Sequence, residues 1–295
     1  MNDPAPTSHH PRTIGEIIDV DGVRTHIGAD IGTGQPVLLV HGSGPGNTGM
    51  MSWAPLLPRL PDYRLIVADL PGYGRSEPMA VPDEPANVAR HLSRLCAALQ
   101  VSDVAVVGHS RGARVAIELA AAFPDLVSRL VGFGAGSIAP DGHLALDGNG
   151  YTAQVSRLVG FGVTTDNSLA NFMTVWRGEV YHPDRLDNEW LTASYEHFVH
   201  DGQMDRYLRR MSDSDVLTFY HRHNAAEFRE RMRSIRQPCL MVFGREDANS
   251  PYQRALPLID TIQDVEFHLF SKCGHFVQFD RPAELAGLIG SFLAR

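Results

Sequence analysis

Short, continuous apolar runs recur along the chain and alternate with stretches in which apolar residues return every third or fourth position. A continuous run is typical of a strand covered on both faces, whereas the longer spacing is typical of a helix packed on one side. Strand-like runs occupy 36–40, 65–68, 104–107, 129–133, 238–243 and 265–270, and helical spacing occupies 85–99, 112–123 and 282–293. This alternation predicts an α/β fold with a mostly parallel sheet flanked by helices.

The stretch over 136–232 lacks strand-like runs and shows amphipathic, helical spacing instead. Its many aromatic and methionine side chains are consistent with a small separate core, or with the inner face of a lid over an apolar pocket. We predict a flexible tail over 1–12, a core formed by 13–135 and 233–295, and a helical cap over 136–232. The amphipathic stretches of the cap are 155–161, 169–175, 188–198, 204–211 and 216–228, and a core helix is predicted to begin near 251.

The composition predicts a soluble, acidic protein of the cytoplasm. The formal net charge of −8 argues against nucleic acid as a partner, because phosphate binding requires clustered Lys and Arg. No apolar run approaches the roughly 20 residues that span a bilayer, and residues 1–12 lack the apolar core of a signal peptide. Three cysteines without C-x-x-C spacing predict a reduced compartment and neither a disulfide framework nor a zinc site.

The run at 104–107 ends in Gly108-His109-Ser110-Arg111-Gly112, and a helical pattern follows at once. Strand, sharp turn and helix is the context in which G-x-S-x-G marks a nucleophile elbow. The turn strains the serine backbone, and the two glycines supply the small neighbours that it requires. Because this pattern also occurs by chance, Ser110 needs partners elsewhere in the chain to count as a nucleophile.

Two later strand ends supply those partners. Asp247 and His275 each follow a predicted strand, in the chain order Ser, Asp, His that this arrangement has on an α/β sheet. The carboxylate orients the histidine, and the histidine takes the proton of the serine hydroxyl. We predict Ser110, Asp247 and His275 as catalytic residues, with Glu246 as the alternative acid.

Other histidines have structural interpretations. His41 and His109 are expected to support their loops by hydrogen bonds. His221 and His223 have a helical spacing that points their rings apart, which argues against a metal site.

An acyl-transfer site also needs donors for the developing oxyanion, each worth roughly 3–4 kcal/mol. The backbone N–H of Arg111, directly after the nucleophile, is one candidate. The second is expected from the loop after the strand at 36–40, where glycines allow close approach, and we name the N–H of Ser43.

Three local motifs indicate a family. They are His41-Gly42-Ser43-Gly44-Pro45-Gly46, Gly244-Arg245-Glu246-Asp247 and Phe270-Ser271-Lys272-Cys273-Gly274-His275. With them, the chain beyond its tail resembles the α/β-hydrolase superfamily and is most similar to the meta-cleavage-product hydrolases, which split carbon–carbon bonds in ring-opened aromatic catabolites. The resemblance implies that the histidine first helps to ketonise a dienol substrate. Hydrolysis of the resulting vinylogous 1,5-diketone then follows at the serine.

The chain departs from that family at three positions. His109 stands where the family usually has Asn, and Phe276 where it usually has Trp. Ser194 stands where a cap arginine holds the substrate carboxylate, and Arg177 or Arg157 is the candidate to replace it. The predicted substrate-binding residues are Gly42, Gly44, His109, Phe276, Arg177 and Trp176.

Three functions remain open from the sequence. The first is hydrolysis of a carbon–carbon bond beside a carbonyl in an apolar or aromatic-derived small molecule, and the second is hydrolysis of a carboxylic ester or lactone by the same residues. The third is a ligand-binding receptor with little hydrolysis. The expected partner is a small-molecule substrate, without metal, cofactor or membrane, and a homo-oligomer is left open.

Overall fold

The computed structural model describes residues 15–81, 83–135, 166–200, 202–212 and 225–295. Several predicted features lie outside the described residues: the tail over 1–12, the amphipathic stretch over 155–161 with Arg157, the histidines His221 and His223, and most of 216–228.

An eight-stranded sheet forms the centre of the described chain. Its order is β1-β2-β4-β3-β5-β6-β7-β8, and every neighbouring pair from β4 to β8 is parallel, whereas β2 is antiparallel to β1 and β4. The predicted mostly parallel sheet is confirmed. The strands are β1 (Glu16–Val20), β2 (Val23–Ile31), β3 (Pro36–Val40), β4 (Arg64–Ala68), β5 (Val104–His109), β6 (Val127–Phe133), β7 (Cys239–Gly244) and β8 (Val265–Phe270).

The described helices follow the predicted periodicity closely in the core. They are α1 (Gly49–Trp53), α2 (Pro85–Ala98), α3 (Arg111–Ala122), α4 (Leu169–Gly178), α5 (Asn188–His200), α6 (Gln203–Ser212), α7 (Ala225–Ser234), α8 (Val277–Asp280) and α9 (Pro282–Leu293). Side chains of β5 alternate between two buried layers, as the period of a strand requires. Val106 belongs to the layer that includes α2 and α3, and Val107 belongs to the layer that includes α1 and α9.

A third buried cluster joins the inserted helices to the core. Phe172 and Trp176 of α4 pack there with side chains of α5 and α6, and Phe276 joins them from the core. The last inserted helix, α7, instead contributes Phe228 and Met232 to the layer that contains α3. The inserted helices are therefore attached to the core from both sides of the sheet's carboxyl edge.

The predicted helix near Pro251 is wrong. Two short 3-10 turns occupy this stretch, at Tyr252–Arg254 and Leu256–Leu258. Pro257 explains the difference, because a proline inside a helix lacks the N–H for the next hydrogen bond and clashes with the preceding turn. The four-residue helix α8 was not predicted, since it is too short to show a period.

Strand order places a crevice at the carboxyl ends of β3 and β5. The chain leaves β3 for β4 on one side and then crosses to β5 on the other, which is the topological switch at which α/β sheets bind ligands. Val40 pairs with Gly108, and Gly108 with Gly132, so the ends of three strands align.

Gly112 lets α3 lie directly against the end of β3. A Cβ at this position would come within 2.2 Å of the carbonyl oxygen of Val40 and 2.6 Å of that of His41. Both obstacles are backbone atoms, so neither can rotate away.

We expect Gly112→Ala to lower the free energy of unfolding by about 1–3 kcal/mol, because overpacking must displace the helix or the strand. Urea unfolding measures it. Gly287→Ala in α9 is the matched control, because nothing lies within 4 Å of its added Cβ; it should raise stability by up to about 1 kcal/mol through helix propensity. An equal change in the free energy of unfolding in Gly112→Ala and Gly287→Ala would contradict the close contact between α3 and the end of β3.

Candidate active site

Ser110 occupies the sharp turn between β5 and α3. Its φ of 53° and ψ of −121° lie outside the regions that residues with a Cβ normally adopt. Its N–H donates to Phe133 O at 2.8 Å, and its carbonyl accepts from the N–H of Ala113 at 3.0 Å. These bonds hold the strained turn in place.

Asp247 and His275 form a buried hydrogen-bonded pair. The distance from His275 Nδ1 to Asp247 Oδ2 is 2.9 Å, and the other carboxylate oxygen accepts from the N–H of Ser250 at 2.7 Å. With the proton on Nδ1 directed at the carboxylate, the Nε2 lone pair of His275 is left to act as a base. Glu246, the alternative acid, accepts instead from the N–H of Cys273 at 3.0 Å.

The surroundings of His275 favour its charged form. Burial alone lowers the pKa of the imidazole, but the charge and hydrogen bond of Asp247 and the charge of Glu179 outweigh burial. The net pKa of His275 is therefore raised above its usual value. This direction stabilises the imidazolium that forms when a base accepts a proton.

His109 binds the backbone beside this pair. Its Nε2 lies 3.1 Å from the carbonyl oxygen of His275 and must donate to it, which leaves Nδ1 as an acceptor. Nδ1 is buried and has no partner within the described part of the chain. Burial, His275 and His41 hold the pKa of His109 well below its usual value, so the ring is neutral. His109 therefore supports the loop that carries His275, through this hydrogen bond.

The glycine-rich loop after β3 lies on the other side of Ser110. His41 donates from Nδ1 to Gly42 O at 2.7 Å and accepts from the N–H of Leu70 at Nε2, at 2.9 Å, so this ring supports the loop as expected. Arg111 begins α3, where N–H groups have no acceptor within the helix. Its guanidinium binds Asp83 at 2.6 Å.

A cavity of about 40 Å³ brings most of these groups together. Trp176 and Phe276 form one wall, with ring centroids 4.7 Å apart and planes 26° apart. Its lining is Gly42, Ser43, Gly44, Pro45, Asn47, His109, Ser110, Val175, Trp176, Glu179, Asn249, His275 and Phe276. The catalytic role predicted for Ser110 stays a prediction, and the structure places Ser110 and His275 in the lining of one cavity.

Arg177 does not line this cavity. Its guanidinium hydrogen bonds with the side-chain oxygen of Asn188 at the surface. Ser194 is buried, but its hydroxyl donates to the carbonyl of Trp190 at 2.8 Å. Within the described lining there is therefore neither Arg nor Lys.

The sequence interpretation missed three polar residues of the cavity, Asn47, Glu179 and Asn249. Asn47 directly follows the glycine-rich motif at 41–46. Asn249 lies two positions after Asp247, so its place in the strand-end loop was a usable signal. Glu179 follows α4 in the inserted helices and belongs to no motif, and only the tertiary fold brings it to the cavity.

A family model for the α/β hydrolase fold matches residues 35–282 of the chain. The chain belongs to the α/β-hydrolase family. A 2-hydroxymuconate semialdehyde hydrolase of a Pseudomonas strain is 31% identical, covering 95% of this chain and 94% of its own. A 2-hydroxy-6-oxo-2,4-heptadienoate hydrolase of Pseudomonas putida is 28% identical, covering 95% and 96%.

A solved meta-cleavage product hydrolase from Pseudomonas fluorescens superposes with a TM-score of 0.81 at 26% identity, covering 96% of this chain and 98% of that one. The resemblance to meta-cleavage-product hydrolases that the motifs indicated is confirmed, and the protein is a hydrolase by family.

The hydrolase has a second buried Asp–His pair, away from the cavity. His26 Nδ1 lies 2.7 Å from Asp69 Oδ2, and Asp69 also accepts from the N–H groups of Gly49 and Arg75 at 2.8 and 3.1 Å. Burial alone raises the pKa of Asp69, but the hydrogen bonds and the nearby histidines lower it by more. The net pKa is below its usual value, so the carboxylate is ionised. This pair joins β2 to the loop after β4, and neither residue lines the cavity of the catalytic candidates.

Among the residues that the structure covers, no helix of the hydrolase is both long and apolar enough to cross a membrane. Within the same ranges, no group of His, Cys, Asp or Glu is arranged to hold a metal ion. The three cysteines are buried and free.

Asp280 ties the loop before His275 to the inserted helices. Its carboxylate is fully buried and accepts from the N–H groups of Gly274, Tyr181 and His182 at 2.7 to 2.8 Å. The carbonyl of Glu179 adds to this junction by accepting from the N–H of His275 at 2.8 Å. The position of His275 therefore depends on the segment that follows α4.

We expect Asp280→Asn to lower the free energy of unfolding by about 1–3 kcal/mol, because its amide cannot accept from all three donors. Hydrogen exchange at Gly274, Tyr181 and His182 should accelerate together, while exposed Asp184→Asn should leave exchange there unchanged. Unaltered exchange in Asp280→Asn would contradict the junction.

Proposed function

We propose that this hydrolase cleaves a carbon–carbon bond beside a carbonyl in a small, ring-opened aromatic compound. The observation that carries the proposal is the buried Asp247–His275 pair, whose histidine lines one cavity with the strained Ser110. The substrates named for the relatives support the type of bond. We also propose that α4 to α6 belong to the cap predicted over 136–232, since they share one buried cluster and Trp176 of α4 lines the cavity.

In the proposed reaction, His275 first helps to ketonise the dienol and then takes the proton of Ser110 as the hydroxyl oxygen attacks the carbonyl carbon. Asp247 holds the ring and stabilises its charge. The backbone N–H groups of Ser43 and Arg111 receive the oxyanion. The carbon–carbon bond then breaks, and the departing carbon keeps the electron pair and gains a proton to form a C–H bond. Once His275 has passed on the proton taken from Ser110 and is neutral again, it activates the water that hydrolyses the acyl group on Ser110.

A carboxylic ester or lactone hydrolase is the second candidate. The absence of Arg and Lys from the described lining favours it, because the dienoate substrates named for the relatives are carboxylates. The described lining therefore has no Arg or Lys side chain to form an ion pair with such a carboxylate.

The test measures loss of the dienol absorbance and, in parallel, release of p-nitrophenolate from small acyl esters. Ser110→Ala should lower kcat on every substrate that turns over by about 10⁴-fold or more, because the nucleophile is gone. Ser102→Ala, at an exposed position, is the control. Turnover of esters alone would favour the second candidate, and tight binding without turnover would favour a receptor. Full activity in Ser110→Ala would refute the proposed nucleophile.

The pH dependence follows from His275. The base must be neutral, and its pKa is raised, so kcat/KM should fall as the pH decreases through a value above about 6.5. Asp247→Asn should lower kcat by about 10⁴-fold and move this acid limb to lower pH, because the charge that raises the pKa is removed. A limb that stays in place in the variant would contradict the assignment of the acid.

A further inference from the structure

Glu179 is a buried carboxyl group that the proposed reaction does not use. It directly follows α4, is 8% exposed, and lines the same cavity as Ser110 and His275. Its backbone carbonyl binds the N–H of His275, so the main chain fixes where its side chain begins.

Three residues of the strand-end loops act on the Glu179 carboxyl. Asn249 Nδ2 donates to Oε2 at 3.3 Å, and the charges that act on the carboxyl are those of His275 and Asp247. Burial raises the pKa of Glu179 to about 7, with Asp247 adding to the rise and His275 and Asn249 opposing it. Near neutrality the group is thus divided between acid and carboxylate, and a substrate that displaces water favours the neutral acid.

Several other polar side chains at or near the cavity are poorer proton donors than Glu179. His109 is neutral, with its one N–H engaged by the His275 carbonyl. Asp247 has both oxygens occupied by donors. Asn47 and Asn249 are amides, which do not act as acids.

We propose that Glu179 is the general acid that protonates the fragment leaving the acyl group on Ser110. This rests on the proposed function, because it assumes the serine nucleophile. The neutral acid resembles carboxylic acids that other enzymes keep protonated in apolar sites.

The step balances without another reactant. When the bond to the acyl carbon breaks, its electron pair stays on the leaving carbon, or on the leaving oxygen of an ester. The O–H bond of Glu179 breaks and its proton forms the new C–H or O–H bond. The Glu179 carboxylate then takes from His275 the proton that came from Ser110, which restores a neutral base for the attack of water.

The experiment compares leaving groups that share one acyl group. A p-nitrophenolate leaves as a stable anion, whereas an alkoxide or a carbanion requires a proton. In Glu179→Gln, the ratio of kcat on the alkyl ester to kcat on the p-nitrophenyl ester should fall by about 10²-fold or more. Glutamine retains the size of the side chain and an oxygen that accepts from Asn249. Glu179→Asp, which keeps an acid, should restore part of the ratio.

Glu189→Gln is the matched control, since it removes one carboxylate from an exposed position in α5. In the wild type, kcat on the alkyl ester should decrease as the pH rises through about 7, because Glu179 loses its proton, and this limb should be missing on the aryl ester and in Glu179→Gln.

An equal fall in kcat on both esters in Glu179→Gln would overturn the proposal, because it would mean that Glu179 only positions His275. An unchanged ratio would overturn it as well. A fall in the alkyl-to-aryl kcat ratio in Glu179→Gln, together with no turnover of the dienol by the wild type, would support Glu179 as the acid and reject carbon–carbon cleavage. Retained turnover in Ser110→Ala, or none on all three substrates by the wild type, would overturn both proposals.

Discussion

The close backbone contact around Ser110 is the constraint on which the rest of the structure depends. Gly108 and Gly112 each lie where a Cβ would meet main-chain atoms within 2.4 Å, so helix α3 can begin only against the ends of β3 and β5. That contact forces the positive φ of Ser110 and places the first N–H groups of the helix beside it. The position of the proposed nucleophile and that of the Arg111 N–H, the proposed oxyanion donor, thus depend on a single packing requirement.

His275 is held from two directions, by the core and by the inserted helices. Asp247 orients the ring through its side chain, while the carbonyl of Glu179 and the carboxylate of Asp280 hold the loop that carries it. A displacement of the segment after α4 would therefore move His275, the proposed base. The inserted helices thus contact the His275 loop as well as the wall of the cavity.

Charge in the cavity is unusual for a hydrolase whose relatives act on carboxylates. The described lining has one carboxyl group, Glu179, and two histidines, and it has no cationic side chain of Arg or Lys. His109 is fixed as an acceptor at Nδ1 because its Nε2 is engaged. Among the described groups, Glu179 can donate one proton when neutral, and Nδ1 of His109 can accept a hydrogen bond.

The sequence by itself indicated strands β3 to β8 and helices α2, α3 and α9 through their apolar periods. It also placed Ser110, Asp247 and His275 at strand ends, because each follows a local pattern there. It also indicated the family through three short motifs. Only the tertiary structure decided that Glu179 and Asn249 meet in the cavity, that Asp280 binds Tyr181 and His182, and that Arg177 lies at the surface. These contacts join residues far apart in the chain, and no period or spacing in the sequence records which of them become neighbours.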